Sequence, residues 1–161
     1  MSEEKPKETV DEQGKTNESG VEKDLSNTDV MLRIFTYLAN HYGMSFSITL
    51  SVGGSLISGM IISRDEYMKS LTGSIRENIS KLQDEVKEFL EVAIFEPLIQ
   101  PIHYKDVAEE IADIKYIHLN DAKVFNAGGK PIPARGGGFL WRGRISSVDG
   151  FSIGILEYRG D

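Results

Sequence analysis

The alternation of apolar and other positions near the end of the chain predicts two β-strands. On the first strand, one face would carry Phe139, Trp141, Gly143 and Ile145. The other face would carry Leu140, Arg142, Arg144 and Ser146. Asp149-Gly150 follows, a pair typical of a two-residue type I′ turn that Val148 and Phe151 would flank. The stretch from Phe139 to Tyr158 is therefore predicted to form a β-hairpin.

An earlier pair of strands is predicted on either side of Gly53-Gly54. From Phe46 to Val52, apolar residues alternate with serine and threonine, which indicates one apolar and one small-polar face. From Ser55 to Ser63, apolar residues fall on both faces. Gly59 lies inside this second strand, where a bend or a close backbone contact would require glycine.

Apolar residues spaced three and four apart predict two helices. Asp29 is placed to cap the first helix and Gly43 to end it. The apolar positions of this first helix are Met31, Ile34, Phe35, Leu38 and Tyr42. The second helix runs from Asp65 to about Ala93, with an interruption near Gly73 as an alternative. Its stripe resembles a coiled-coil seam, so the helix covers the sheet or pairs with the same helix of another copy.

The end of the helical region and the next strand are marked by proline and by a change of period. Pro97 and Pro101 are predicted to end the long helix, and a short helix from Ile102 is expected before the sheet resumes. Lys115 to Phe125 is predicted to be a strand, bent or broken at Asn120-Asp121.

Composition and charge divide the chain into an acidic tail and a nearly neutral body. Met1 to Asp29 carries nine acidic residues and four lysines, which accounts for most of the net charge of −7. With few apolar residues, 1–28 is expected to be disordered. Residues 29–161 are expected to form a single β-rich domain with a helical insertion at about 65–113. The absence of cysteine and of long apolar runs favours a cytoplasmic protein that does not cross a membrane.

No group of residues predicts a catalytic, metal or cofactor site. The histidines His41, His103 and His118 lie in separate contexts and are read as surface or packed side chains. The adjacent carboxylates Asp65-Glu66 and Glu109-Glu110 would point about 100° apart on a helix. The sequence therefore favours a binding protein over an enzyme.

Four basic residues near the C-terminal strands are the candidate partner-binding side chains: Lys130, Arg135, Arg142 and Arg144. The first two lie in Asn126 to Gly138, which contains five glycines and two prolines and is predicted to be a mobile loop. The loop lacks the spacing of a Walker phosphate loop. Arg142 and Arg144 share one strand face, which is either a solvated face or an anion- or partner-binding patch with Arg135.

Three blocks of the chain resemble the gas vesicle accessory proteins of the U type (GvpU-like). The blocks are HYGMSFSITLSVGGSLISGMIISRDEYM, YIHLNDAKVF and FLWRGRISSVDGFSIGIL, in this order. The resemblance implies a non-enzymatic, cytoplasmic, gas vesicle-associated protein that self-associates and assists assembly, clustering or organisation of gas vesicles. It implies the vesicle shell or other gas vesicle proteins as partners, a homo-oligomer, and no cofactor. The tail, the segment from Leu71 to Ile114 and the loop at Gly128 to Gly138 depart from the family pattern.

A second resemblance is to Sm-like small barrels, in which a helix precedes five strongly bent strands. Asp29 to Gly43 would be the helix, and Arg142-Gly143 resembles the Arg-Gly of the second motif in that family. Lys69 stands where the first motif has an asparagine that contacts RNA. The expected fold is thus α+β, with a small, strongly bent antiparallel β-sheet or barrel, Sm-like or SH3-like. An oligomeric RNA-binding module is the alternative function, although nucleic acid is not the partner that the overall charge favours.

Overall fold

The computed structural model describes residues 29–126 and 130–158. It has an α+β fold in which an antiparallel sheet is combined with helices, as the sequence predicts. The strands are β1 (Ser47–Val52), β2 (Ser55–Ile61), β3 (Tyr116–Phe125), β4 (Pro131–Ile132), β5 (Phe139–Arg144) and β6 (Gly150–Ile153). The helices are α1 (Val30–Tyr42), α2 (Arg64–Asn78), α3 (Asp84–Leu90), a π-helical turn (Glu91–Phe95), α4 (Glu96–Ile99) and α5 (Val107–Asp113). The predicted disorder of 1–28 concerns residues outside the described ranges.

The strands follow the order β4-β3-β2-β1-β6, and β5 pairs with the same edge of β3 as β4 does. The sheet is not closed, so the barrel and the Sm-like fold remain predictions. The β1–β2 hairpin is confirmed, because Gly53 and Gly54 both have positive φ and Val52 lies opposite Ser55. The predicted loop at 126–138 contains the short strand β4, which lies beside the C-terminal end of β3.

Gly59 marks a bulge between β2 and β3. The register of the two strands shifts between Ser58 and Met60, and a Cβ atom at Gly59 would lie 2.9 Å from the carbonyl oxygen of Asn120. Asp121 has a φ of 49°, and β3 resumes its pairing at Ala122. The predicted close backbone contact at Gly59 and the predicted bend at Asn120-Asp121 are therefore one structural feature.

The predicted hairpin between Phe139 and Tyr158 is wrong. β5 pairs with β3 and β6 pairs with β1, and a 3-10 turn at Ile145–Ser147 connects them. Asp149 reaches the end of β1, where its N–H donates to the carbonyl of Ser51 over 2.8 Å and its carboxylate accepts from Gly53 N–H. Ile145 is buried in the core, so the chain turns inward before the Asp-Gly pair and Gly150 needs no positive φ.

Helix α1 covers one face of the sheet. The Asp29 carboxylate accepts from Met31 N–H over 2.9 Å, and Gly43 ends the helix with a φ of 62°, as predicted. The predicted buried face is shifted, because Met31 and Tyr42 are exposed while Thr36 and Ala39 are buried. The main core comprises Leu32, Ala39, Ile48, Leu50, Ile57, Ile61, Ile114, Ile117, Leu119, Ala122 and Ile145.

The predicted single helix from Asp65 to Ala93 is two helical segments. Helix α2 begins after Ser63, whose hydroxyl accepts from Glu66 N–H, and it continues through Gly73 to Asn78. The next helix begins at Asp84 because acidic residues in a first turn favour a helix N-terminus. Pro97 does not end this second segment. The preceding turn is π-helical, with Glu96 N–H donating to the carbonyl of Glu91, and the helix extends to Ile99.

Helix α2 packs on the opposite face of the sheet from α1. Its Tyr67 and Met68 form a second cluster with Ile62, and Leu140 of β5 packs against this cluster. Trp141, the next residue along β5, packs against the main core. The predicted alternation of β5 is therefore confirmed. The central strand β3 lies between two packed layers, which determines where its own polar side chains are placed.

Candidate ligand pocket beside strand β5

The pairing of β3 with β5 brings aromatic and charged side chains onto one face. Tyr116 lies opposite Arg144 and His118 opposite Arg142, so the alternation of the strands directs all four to the same side. This side faces α2, whereas Ile117 and Leu119 face the main core.

His118 is a polar side chain buried between β3 and α2. Only 4% of its surface is exposed, and its ring centroid lies 4.7 Å from that of Tyr67. Neither ring nitrogen has a hydrogen-bond partner among the described residues. Burial lowers the pKa of His118 to about 4, and the positive charges of Arg142 and Arg64 contribute to the shift. The imidazole is therefore neutral at pH 7.

A pocket of about 240 Å³ opens beside His118, and we call it the basic pocket. Its charged lining residues are Arg64, Lys115, Arg142 and Asp113. The guanidinium of Arg142 lies over the ring of Tyr116, with Cζ 3.7 Å from the ring centroid. Cation–π stacking holds the guanidinium in place. Arg64 is paired with Asp65 and Lys115 with Asp113, which leaves the charge of Arg142 uncompensated, so the basic pocket can hold an anion.

The other two cations are fixed by their neighbours. Arg64 donates from Nη2 to the carbonyl of Leu98 over 3.0 Å and from Nη1 to that of Gln100 over 3.2 Å. The Nζ of Lys115 lies 3.3 Å from Oδ1 of Asp113. Arg64 therefore connects the start of α2 to the end of α4, and this connection shapes the pocket wall.

Tyr104 engages the single carboxylate of the pocket. Its hydroxyl donates to Oδ2 of Asp113 over 3.1 Å. Burial raises the pKa of Tyr104 to about 12, and the hydrogen bond to Asp113 adds to the effect. Because Asp113 is held by Tyr104 and Lys115, its charge is partly compensated before any ligand arrives.

A smaller pocket of about 170 Å³ adjoins the basic pocket and shares Arg64 and Tyr104 with it. There, Nε2 of His41 lies 2.7 Å from both carboxylate oxygens of Glu110. His41 is an exposed residue, in agreement with its interpretation as a surface histidine. In 29–126 and 130–158, no group of three or more residues of types His, Cys, Asp and Glu is arranged to hold a metal ion.

The four basic residues singled out from the sequence are all exposed, but they occupy different places. Arg142 alone lines the basic pocket. Lys130 precedes β4, which pairs with β3 at Phe125, whereas Arg144 lies opposite Tyr116 at the other end of that strand. At about 3.3 Å per residue, these ends of β3 are roughly 30 Å apart. Arg135 lies between β4 and β5, and the patch of Arg142 and Arg144 with Arg135 remains a prediction.

Of the basic side chains that line the pocket, three were not among the candidates from the sequence: Arg64, Lys115 and His118. His118 lies two residues after Tyr116 on β3, so both side chains point away from the side that Ile117 and Leu119 face. This alternation was visible in the sequence. The position of α2 could not be predicted from the sequence, and it is the packing of α2 on this polar face of β3 that buries His118.

A protein-family model for gas vesicle protein GvpU-like matches residues 29–156. The match spans all the helices and strands described above, including both walls of the basic pocket. The chain belongs to the GvpU-like family. No curated protein and no solved structure matches it.

Membership of the GvpU-like family makes the chain a gas vesicle accessory protein. The family is not known as enzymatic. Within the described ranges, no helix is long and apolar enough to span a bilayer. The partners that the family suggests are gas vesicles.

Proposed function

We propose that this GvpU-like protein is a non-enzymatic, cytoplasmic accessory protein that binds gas vesicles or their proteins and self-associates, and so assists vesicle assembly, clustering or organisation. The family match over 29–156 carries the proposal. The surface of the helical segments supports the self-association.

The segment from Asp84 to Ile99 leaves large apolar side chains in solvent. Phe89 is 65% exposed and Val92 59% exposed, and Val86 and Ile94 are exposed as well. Grouped apolar side chains on one exposed element are typical of interaction surfaces. This group favours contact between copies, which was one of the two interpretations of the long helical stripe.

The other side of the same segment is attached to α2. The guanidinium of Arg76 donates from Nε to the Glu91 carboxylate over 2.9 Å and lies 5.1 Å from the ring centroid of Phe95. Phe95 is buried. Since Glu91 and Phe95 face the body of the protein, Phe89 and Val92 are left available to a second copy.

Self-association can be measured by sedimentation velocity on the full chain, over a concentration series. We expect the wild type to form oligomers and Val92→Ser to shift the distribution towards monomer, because it removes apolar area from the contact. Val107→Ser is the matched control, since Val107 is 52% exposed on a different helix. A wild type that is monomeric throughout the series, or two variants that behave alike, would contradict this surface.

A further inference from the structure

The basic pocket contains a buried polar group that the fold itself does not satisfy. Only 4% of the His118 surface is exposed, and neither ring nitrogen has a hydrogen-bond partner within the described residues. A buried polar atom without a partner costs free energy, and such groups in folded proteins are usually satisfied by a ligand, a water or an ion. His118 lines the basic pocket, so a molecule in this pocket lies beside its ring, and one of the two covered ring nitrogens must be uncovered before that molecule can bind it.

The charges around the pocket indicate the sign of that molecule. Arg142 lies against Tyr116, and no described residue accepts a hydrogen bond from its guanidinium. Arg64 is paired with Asp65 over 3.2 Å and Lys115 with Asp113 over 3.3 Å, so the guanidinium of Arg142 carries the positive charge that no neighbouring carboxylate compensates. A guanidinium with uncommitted N–H groups is suited to a carboxylate or a phosphate, which it can bind through two parallel hydrogen bonds.

The remaining walls indicate that the molecule also has an apolar part. Met68, Ile102 and Ile114 line the same pocket, together with the rings of Tyr104 and Tyr116. An inorganic ion alone would leave these walls uncovered. Compact ligand sites commonly combine an apolar lining with a few polar groups that orient the ligand.

We propose that the basic pocket binds a compact organic oxyanion, with its carboxylate or phosphate group between Arg142 and His118 and its apolar part against Met68, Ile102 and Ile114. A small rotation of the imidazole, which uncovers one ring nitrogen, lets the neutral ring donate one hydrogen bond to the oxyanion. The features that indicate this binding site do not depend on vesicle binding, and its test requires no vesicles.

Binding of an anion also changes the protonation of His118. The groups that face its ring are Tyr67 of α2, Arg64 at the start of α2, and Arg142 of β5. Both arginines oppose protonation, and a bound anion offsets their charge. The pKa of His118 should therefore rise when the ligand binds. The same linkage makes binding of a non-titrating anion tighter as the pH falls through the raised pKa towards about 4, the pKa of His118 without ligand.

The full-length protein can be titrated with phenyl phosphate and with benzoate, which separate the phosphate and carboxylate arms, by calorimetry at low salt. Benzyl alcohol is the uncharged control. We expect at least one anion to bind and benzyl alcohol not to bind. Arg142→Gln should weaken binding about tenfold or more, because a charge-assisted contact is lost. Arg144→Gln, on the same strand but outside the pocket, should weaken binding much less, through the loss of a more distant charge only.

Proton NMR of the three histidine rings supplies a second readout. We expect the His118 resonance to move on anion binding and its titration midpoint to rise, while the resonance of His103, which does not itself line the pocket, moves much less. The proposal is overturned if neither anion binds, if Arg142→Gln and Arg144→Gln weaken binding equally, or if an anion binds without moving the His118 resonance.

Discussion

His118 combines three properties that are rarely found in one residue: it is buried, polar and without a hydrogen-bond partner among the described side chains and backbone. It is held there by the packing of Tyr67 against its ring. Its pKa, lowered to about 4 by burial and by two arginines, links this packing to pH.

The first prediction concerns the pH dependence of stability. Between pH 7 and pH 5 the unfolded chain protonates His118 near its ordinary pKa of 6.5, while the folded protein keeps it neutral, so the free energy of unfolding falls as the pH falls. The loss attributable to this residue is about 2 kcal/mol at pH 5. It can be measured by urea unfolding of the wild type and His118→Phe at both pH values, because the phenylalanine variant should lack this component.

His103→Gln provides the control for that measurement, since His103 is exposed. It should retain the wild-type dependence on pH. If His118→Phe loses as much stability as the wild type on acidification, the burial of a neutral imidazole is contradicted.

Gly143 is glycine because the packing of strand β5 leaves no room there for a side chain. Trp141 lies two positions earlier on the same face of β5, and a Cβ atom at Gly143 would lie 2.0 Å from Cη2 of its indole ring. The indole covers Gly143 and packs against the main core. This contact holds β5 against the body of the protein on the side opposite the basic pocket.

Gly143→Ala is therefore expected to displace the indole and to destabilise the protein by about 1–3 kcal/mol, the usual cost of overpacking. Trp141 is the only tryptophan, so its fluorescence reports the displacement directly as a shift to longer wavelength. Gly150→Ala is the matched control, because a Cβ atom there meets nothing within 4 Å and Gly150 has no positive φ. Equal stability and equal emission of the two variants would contradict this packing.

Local sequence patterns predicted where helices and strands begin and end better than which strands pair with each other. Asp29 and Gly43 mark the ends of α1, and Gly53-Gly54 marks the β1–β2 turn, because these signals act within a few residues. Asp149-Gly150 is an equally local signal, but the hairpin turn that it predicted does not form. The edge of β1 offers β6 a partner, and no local pattern in the sequence reveals that competition.

The site was predictable only in part for the same reason. Arg142 was identified because it alternates with apolar residues on one strand. The basic pocket also requires Arg64 from the start of α2 and Lys115, the residue before β3, which are brought together by the helices between β2 and β3. That region is also where the predicted single helix proved to be two segments.

At the scale of the whole molecule, charge and apolar surface are separated along the chain. Most of the net charge of −7 belongs to the first 29 residues, whereas exposed Phe89 and Val92 belong to the body. A nearly neutral body has little charge repulsion to oppose contact between copies or with a vesicle surface. Repulsion by the acidic tail is screened as salt increases.

The central claim, that this GvpU-like protein acts on gas vesicles, is tested most directly by co-flotation. The purified full chain is mixed with purified gas vesicles over a range of salt concentrations, and the floating layer is quantified against an unrelated acidic protein of similar size. We predict enrichment of the chain in the floating layer, where the control protein does not accumulate. Recovery of the chain only below the floating layer at every salt concentration would contradict the account.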